Sequence, residues 1–128
     1  MKRLFIILSI ILLINSYYAN SQIEYSVDKW MEYVEELALE TEDTERIESL
    51  YADLSYLIEH PFDLNAVTEE QLKRLPFLSD RQIEQLLSYR KRYGNMVSIY
   101  ELKNIEDIDF QTISLLLPFV YIGDNLVE

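Results

Sequence analysis

The sequence predicts an all-α protein, and three observations carry that reading. Apolar residues recur at helical spacing through most of the chain. Helix-start patterns of the Ser/Thr-x-x-Glu/Gln kind occur at Thr68/Gln71, Ser79/Gln82 and Ser98/Glu101. A block of short helices recurs between Leu72 and Leu102, giving an N-terminal amphipathic helix pair followed by a tandem helical repeat. Composition narrows the chemistry: the 128 residues include 23 Asp and Glu, 11 Lys and Arg, one His, two Gly and no Cys. Disulfide scaffolds, cysteine-ligated metals and thiol nucleophiles are excluded.

Residues 1–21 read as a cleavable export signal. Met1-Lys2-Arg3 is a basic start, and Leu4 to Ile14 is an apolar run interrupted only by Ser9. That run falls short of the ~20 residues a bilayer-spanning helix needs. Ala19-Asn20-Ser21 supplies small residues before a cleavage expected at Ser21/Gln22, so the body is expected in the periplasm or outside the cell, with no stable membrane span. Residues 22–128 carry 9 basic and 23 acidic side chains, a formal charge of −14, which repels polyanions.

Residues 22–60 hold 12 of those acids and only Lys29 and Arg46 as bases. Trp30, Tyr33, Val34 and Leu37 mark one amphipathic face, and Ile47, Leu50, Tyr51, Leu54, Leu57 and Ile58 mark a second. Thr41-Glu42-Asp43-Thr44 is the break, with Thr44 the expected cap of the second helix and Pro61 its stop. His60, before that proline, reads as a C-terminal cap and offers no catalytic set.

Residues 61–122 contain the repeat. Leu72-Lys73-Arg74-Leu75-Pro76-Phe77-Leu78-Ser79 overlies Leu102-Lys103-Asn104-Ile105-Glu106-Asp107-Ile108-Asp109 without a gap. Ile83, Leu86 and Leu87 overlie Ile113, Leu116 and Leu117. Each unit has a capped short helix, a tight apolar turn, a second capped helix and a stop, at Gly94, where a left-handed C-terminal cap is expected, or at Pro118. The long helix of the first unit is expected from about Asp80 to Tyr93, and Asp109 caps the last helix. Phe119-Val120-Tyr121-Ile122 reads as a short strand leading onward, and residues 123–128 as a polar tail.

Leu64-Asn65-Ala66-Val67-Thr68-Glu69-Glu70-Gln71-Leu72, then Leu75-Pro76, Tyr89-Arg90, Gly94 and Ser98-Ile99-Tyr100-Glu101-Leu102, resembles the tandem helix-hairpin-helix domain of ComEA-like exported proteins. The resemblance covers about Asp63 to Val120 and implies weak, sequence-independent DNA binding. In that family the hairpin turn is a leucine-proline-glycine-aliphatic-glycine loop whose glycines let phosphate approach backbone N–H groups. Here the first turn reads Pro76-Phe77-Leu78-Ser79 and the second Glu106-Asp107-Ile108-Asp109, so both glycines are replaced in each. Three carboxylates stand where a phosphate would sit.

Lys73, Arg74, Arg81, Arg90, Lys91 and Arg92 are the candidate DNA-binding cluster; the favoured reading is that Arg90-Lys91-Arg92 suits the last turn of a helix, because the net charge opposes DNA. At the turns, Leu78 overlies Ile108 and reads as core, whereas Phe77 overlies Asp107 and reads as exposed. Glu106, Asp107 and Asp109 lack the spacing of a calcium loop, so no metal or cofactor is expected. The sequence therefore points to a non-enzymatic exported module that contacts another protein or leads a larger envelope protein, with DNA binding as the alternative.

Overall fold

The computed structural model describes residues 2–123, the side chains of residues 14–28 excepted. The helices in order are α1 (Lys2–Glu40), α2 (Thr44–Glu59), α3 (Glu69–Leu72), α4 (Asp80–Tyr93) and α5 (Phe110–Leu116). Single 3-10 segments cover Ile99–Asn104 and Leu117–Phe119. Two strands of two residues, β1 (Phe62–Asp63) and β2 (Val120–Tyr121), pair in parallel, Phe62 opposite Val120 and Asp63 opposite Tyr121. The fold is all-α in class, with this one short ladder as its β component.

The short strand expected after Pro118 forms at Val120–Tyr121, and the ladder gives it a partner. Val120-Tyr121 lies along Phe62-Asp63, and the Leu64 N–H donates to the Tyr121 carbonyl at 2.9 Å. Burial explains the choice, since Phe62, Phe119 and Val120 all lie in the core. The expected cleavage site at Ser21/Gln22 falls among side chains outside the described set, and the tail beyond Gly123 lies outside the described residues. Among the described residues no helix is long and apolar enough to cross a membrane.

The break between α1 and α2 falls at residues 41–43, but its cap is Asp43 and not Thr44. The Asp43 carboxylate accepts from the Arg46 N–H at 3.1 Å, so Thr44 becomes the first helical residue. A carboxylate at that end also favours the positive pole of the helix dipole. At the other end of α2, His60 is the C-cap, its N–H bonded to the carbonyls of Tyr56 and Leu57. All three capping boxes form. The Ser98 box opens a 3-10 segment where an α-helix was expected. α4 runs from Asp80 to Tyr93 and stops at Gly94, which has φ +79°. Its ψ of −161° is an extended mirror-image conformation open to glycine, in place of the left-handed helical cap expected. Pro118 ends the α-helical run by turning α5 into the closing 3-10 segment.

Backbone bonds recur across the two units. The Leu75 N–H donates to Leu72 and the Ile105 N–H to Leu102, at 3.0 and 3.3 Å. Leu78 to Leu75 and Ile108 to Ile105 repeat the same step. Leu72, Leu75, Leu78 and Ile83 are buried in the first unit, and Leu102, Ile105 and Ile108 in the second.

The helix pair is fastened to these turns by an aromatic cluster. Phe119 is fully buried, with its ring 6.2 Å from Trp30 edge-on and 5.7 Å from Phe77. Trp30 also meets Tyr51 at 5.4 Å, and Tyr33 meets Phe77 edge-on at 6.1 Å. Edge-on and tilted ring pairs at such spacings add to the transfer of apolar surface from water. Phe119→Ala is therefore expected to destabilise the fold by about 3–5 kcal/mol, read as a lower urea midpoint in the fluorescence of Trp30, the single tryptophan.

Candidate functional site

The two hairpin turns end up alike in core and different at their tips. Leu78 and Ile108 point inward as the repeat predicts. Phe77 departs from expectation: it is half-buried and packed against Tyr33 and Phe119, because α1 covers the first hairpin. Its neighbour Pro76 stays exposed. At the second tip Asp107 has φ +68°, the one positive φ among described non-glycine residues. Aspartate tolerates that conformation better than most side chains. Glu106 beside it is exposed.

Asp107 also joins the two units. Its carboxylate accepts from the Arg81 Nε–H at 2.6 Å, and its carbonyl accepts from Gln82 Nε2 at 3.1 Å. The hydrogen bond to Asp107, reinforced by its charge, raises the Arg81 guanidinium above its ordinary pKa. Gln82 Nε2 donates onward to the Thr112 hydroxyl, also at 3.1 Å. The start of α4 is thereby tied to the turn and first residues of α5.

The six candidate cations do not form one free patch. Arg90 is a structural residue: its Nη1 donates to the carbonyls of Leu64 at 3.0 Å and Val67 at 2.7 Å. Arg81 faces Asp107, and Lys73 pairs with Glu69 at 3.4 Å on the solvent side of α3. Lys73 and Lys91 line a shallow cleft together with Glu69, Asp80 and Glu84, so carboxylates interleave with the ammonium groups. Arg74, Lys91 and Arg92 are exposed. Arg92 borders a polar cleft with Tyr89, Tyr93, Asn104 and Glu106.

Among the described residues no group of three His, Asp or Glu side chains is arranged to hold a metal ion. Asp109 accepts from the Thr112 hydroxyl at 2.6 Å and the Thr112 N–H at 2.8 Å, and caps α5. Those bonds, the hydroxyl's foremost, hold its carboxyl below the usual carboxylate range. His60 stacks on Tyr56 with ring centres 4.2 Å apart, and its Nδ1 lies 3.0 Å from the Tyr56 carbonyl. No nucleophile is placed beside it in these contacts.

Two features escaped sequence reasoning. The first is the Asp63–Val67 turn, where Asn65 pairs with the Met96 backbone through both amide atoms, Met96 N–H to Oδ1 at 2.7 Å and Nδ2 to Met96 O at 3.0 Å. Asn65 belongs to the Leu64–Leu72 stretch singled out above, but nothing in one sequence names a backbone partner 31 residues away. The second is a cleft of about 580 Å³ between α1 and α2. Tyr33, Leu37, Ile47 and Leu50 line it, with Pro76 completing the wall. Periodicity placed these residues on inward faces; it gave no sign that the two helices leave a gap. Burial raises the Tyr33 hydroxyl above its ordinary pKa.

No protein-family model matches the chain, and a comparison with curated proteins finds no match either.

Glu101, like Asp109, is a capping carboxylate. The N–H groups of Val97 and then Ser98, with the Tyr89 hydroxyl behind them, hold it below its usual range. A carboxylate lowered on folding contributes stability that is whole above its unfolded pKa and disappears as pH falls through the folded value. Acidification from about pH 4.5 downward is expected to lower the urea midpoint. Asp109→Asn and Glu101→Gln should each flatten that fall, measured as midpoint against pH.

Proposed function

We propose that this chain is a non-catalytic helix-hairpin-helix module, exported from the cytoplasm, that works by contacting another protein, by itself or as the leading module of a larger envelope protein. The observation that carries this reading is the second hairpin tip. There the Asp107 carboxylate is bonded to Arg81, beside the exposed Glu106, in the place where the resemblance would bring a phosphate. Arg81 offsets Asp107, but Glu106 and Asp109 leave the turn negative on balance, and bringing a phosphate to it is unfavourable. At the first tip, Phe77 packs under α1, and the close backbone approach that a glycine permits is lost.

The repeated backbone bonds at Leu72–Leu78 and Leu102–Ile108 support the hairpin reading, together with the motif order in the sequence. The basic start and short apolar run at residues 2–14 support export. DNA is the second reading, favoured by the exposed side chains of Arg74, Lys91 and Arg92.

A titration of the purified protein against labelled duplex and single-stranded DNA, across salt concentration, separates the two. The protein-contact reading expects no saturable binding even at low salt. Tight binding with a steep salt dependence, lost in the Arg74→Ala/Lys91→Ala/Arg92→Ala variant, would replace it with the DNA reading.

A further inference from the structure

The cleft between α1 and α2 has two walls of matching pitch. On α1, Tyr33, Leu37 and Glu40 follow one another at helical spacing along one stripe, with Thr41 just beyond its end. On α2, Arg46, Ile47, Leu50 and Asp53 do the same. Tyr33 to Glu40 spans about 10 Å at the helical rise of about 1.5 Å per residue, which is two turns of helix. The interior of the helix pair is closed where Trp30 and Val34 meet Leu54 and Leu57, all of them buried. Towards the 41–43 loop the facing residues Leu37, Ile47 and Leu50 are only half-buried, and the gap opens there.

The charge around this gap is one-sided. Between Lys29 and His60 ten carboxylates face two cations, Lys29 and Arg46, and every one of those carboxylates is exposed. On the cleft itself stand Glu40 and Asp53, with Arg46 as its one cation. An apolar strip of Leu37, Ile47 and Leu50 within a rim that is acidic on balance fits a segment with an apolar stripe flanked by Lys or Arg. A second copy of this chain would instead set its own carboxylates against these.

We propose that the α1/α2 cleft is the docking groove for a basic amphipathic helix of a partner protein, which seats two or three apolar side chains at i, i+3 or i+4, and i+7 against Leu37, Ile47 and Leu50. This rests on the protein-contact reading above and specifies its site and the chemistry of its partner. Helix-in-groove recognition divides the work in the same way, with apolar anchors supplying affinity and rim charges supplying orientation and on-rate.

The test titrates the isotope-labelled full chain with a synthetic Lys/Leu helix whose leucines follow that spacing. Controls are a scrambled peptide of equal charge and oligolysine. Expected are saturable binding, amide shifts concentrated at Tyr33, Leu37, Ile47, Leu50 and Asp53, and at least about tenfold weaker affinity for the scrambled peptide. Leu37→Glu, at a half-buried site, should weaken binding by about tenfold or more, and Glu40→Lys/Asp53→Lys should lower the on-rate. Shift mapping uses the unsubstituted protein, so it stands even where a variant folds poorly. Equal binding of the scrambled peptide or of oligolysine would overturn the groove, leaving only a diffuse charge effect. Shifts centred on another face would overturn the groove and keep the protein-contact reading. Loss of peptide binding together with tight DNA binding in the salt titration would overturn both.

Discussion

The chain folds around one demand: the turn from Asp63 to Val67 must have its polar groups satisfied inside a core built from other segments. Leu64 and Val67 are buried, so their carbonyls cannot rely on water. Arg90 supplies both from α4, with a charged donor whose bonds are stronger than neutral ones. Asn65 holds the Met96 backbone as a neighbouring strand would, donating once and accepting once. Asp63 accepts from the N–H groups of Asn65 and Gly123, both at 2.9 Å. A side chain at Gly123 would run into that carboxylate, which is the packing reason for a glycine there. Three remote stretches thus converge on five residues, and the parallel strand pair is a consequence of that convergence.

This explains where the cations went. Six Lys and Arg clustered in the first unit look, in sequence, like a surface for polyanions. Arg90 instead faces inward, Arg81 meets Asp107 across the units, and carboxylates surround Lys73 and Lys91. The exposed Arg81–Asp107 pair contributes little to stability as an isolated surface ion pair. Its geometric effect is larger, because with Gln82 it fixes the second hairpin against the first long helix. The carboxylates between Lys29 and His60, by contrast, stay exposed, and Glu40 and Asp53 among them border the cleft of the helix pair.

Local rules were legible because they act within four residues. Capping boxes at Thr68, Ser79 and Ser98, the Asp109 cap and the end of α4 at Gly94 follow from bonds between near neighbours. The choice between Asp43 and Thr44 turned on a single hydrogen bond between residues of similar capping strength. Contacts across the chain were less legible. Phe77 looked exposed because its repeat partner is Asp107, yet α1 lies over the first turn and supplies Tyr33. The Arg90 contacts and the β1/β2 ladder were invisible for the same reason, since their partners lie 23 residues or more away. Of the candidate site, the hairpin cores were readable from the repeat, while the open cleft depends on how two helices pack and has no sequence signal of its own.

The Asp63–Val67 turn is a joint shared by α4, the loop after it and β2. Native-state hydrogen exchange on Asn65→Ala tests it most directly, because the substitution removes both bonds to Met96 and leaves the apolar core in place. A shared joint predicts that the amides of Leu64, Val67, Met96 and Gly123 lose protection together, by a common factor. Faster exchange at Met96 alone, with Leu64, Val67 and Gly123 unchanged, would contradict it and reduce the turn to a set of independent local bonds.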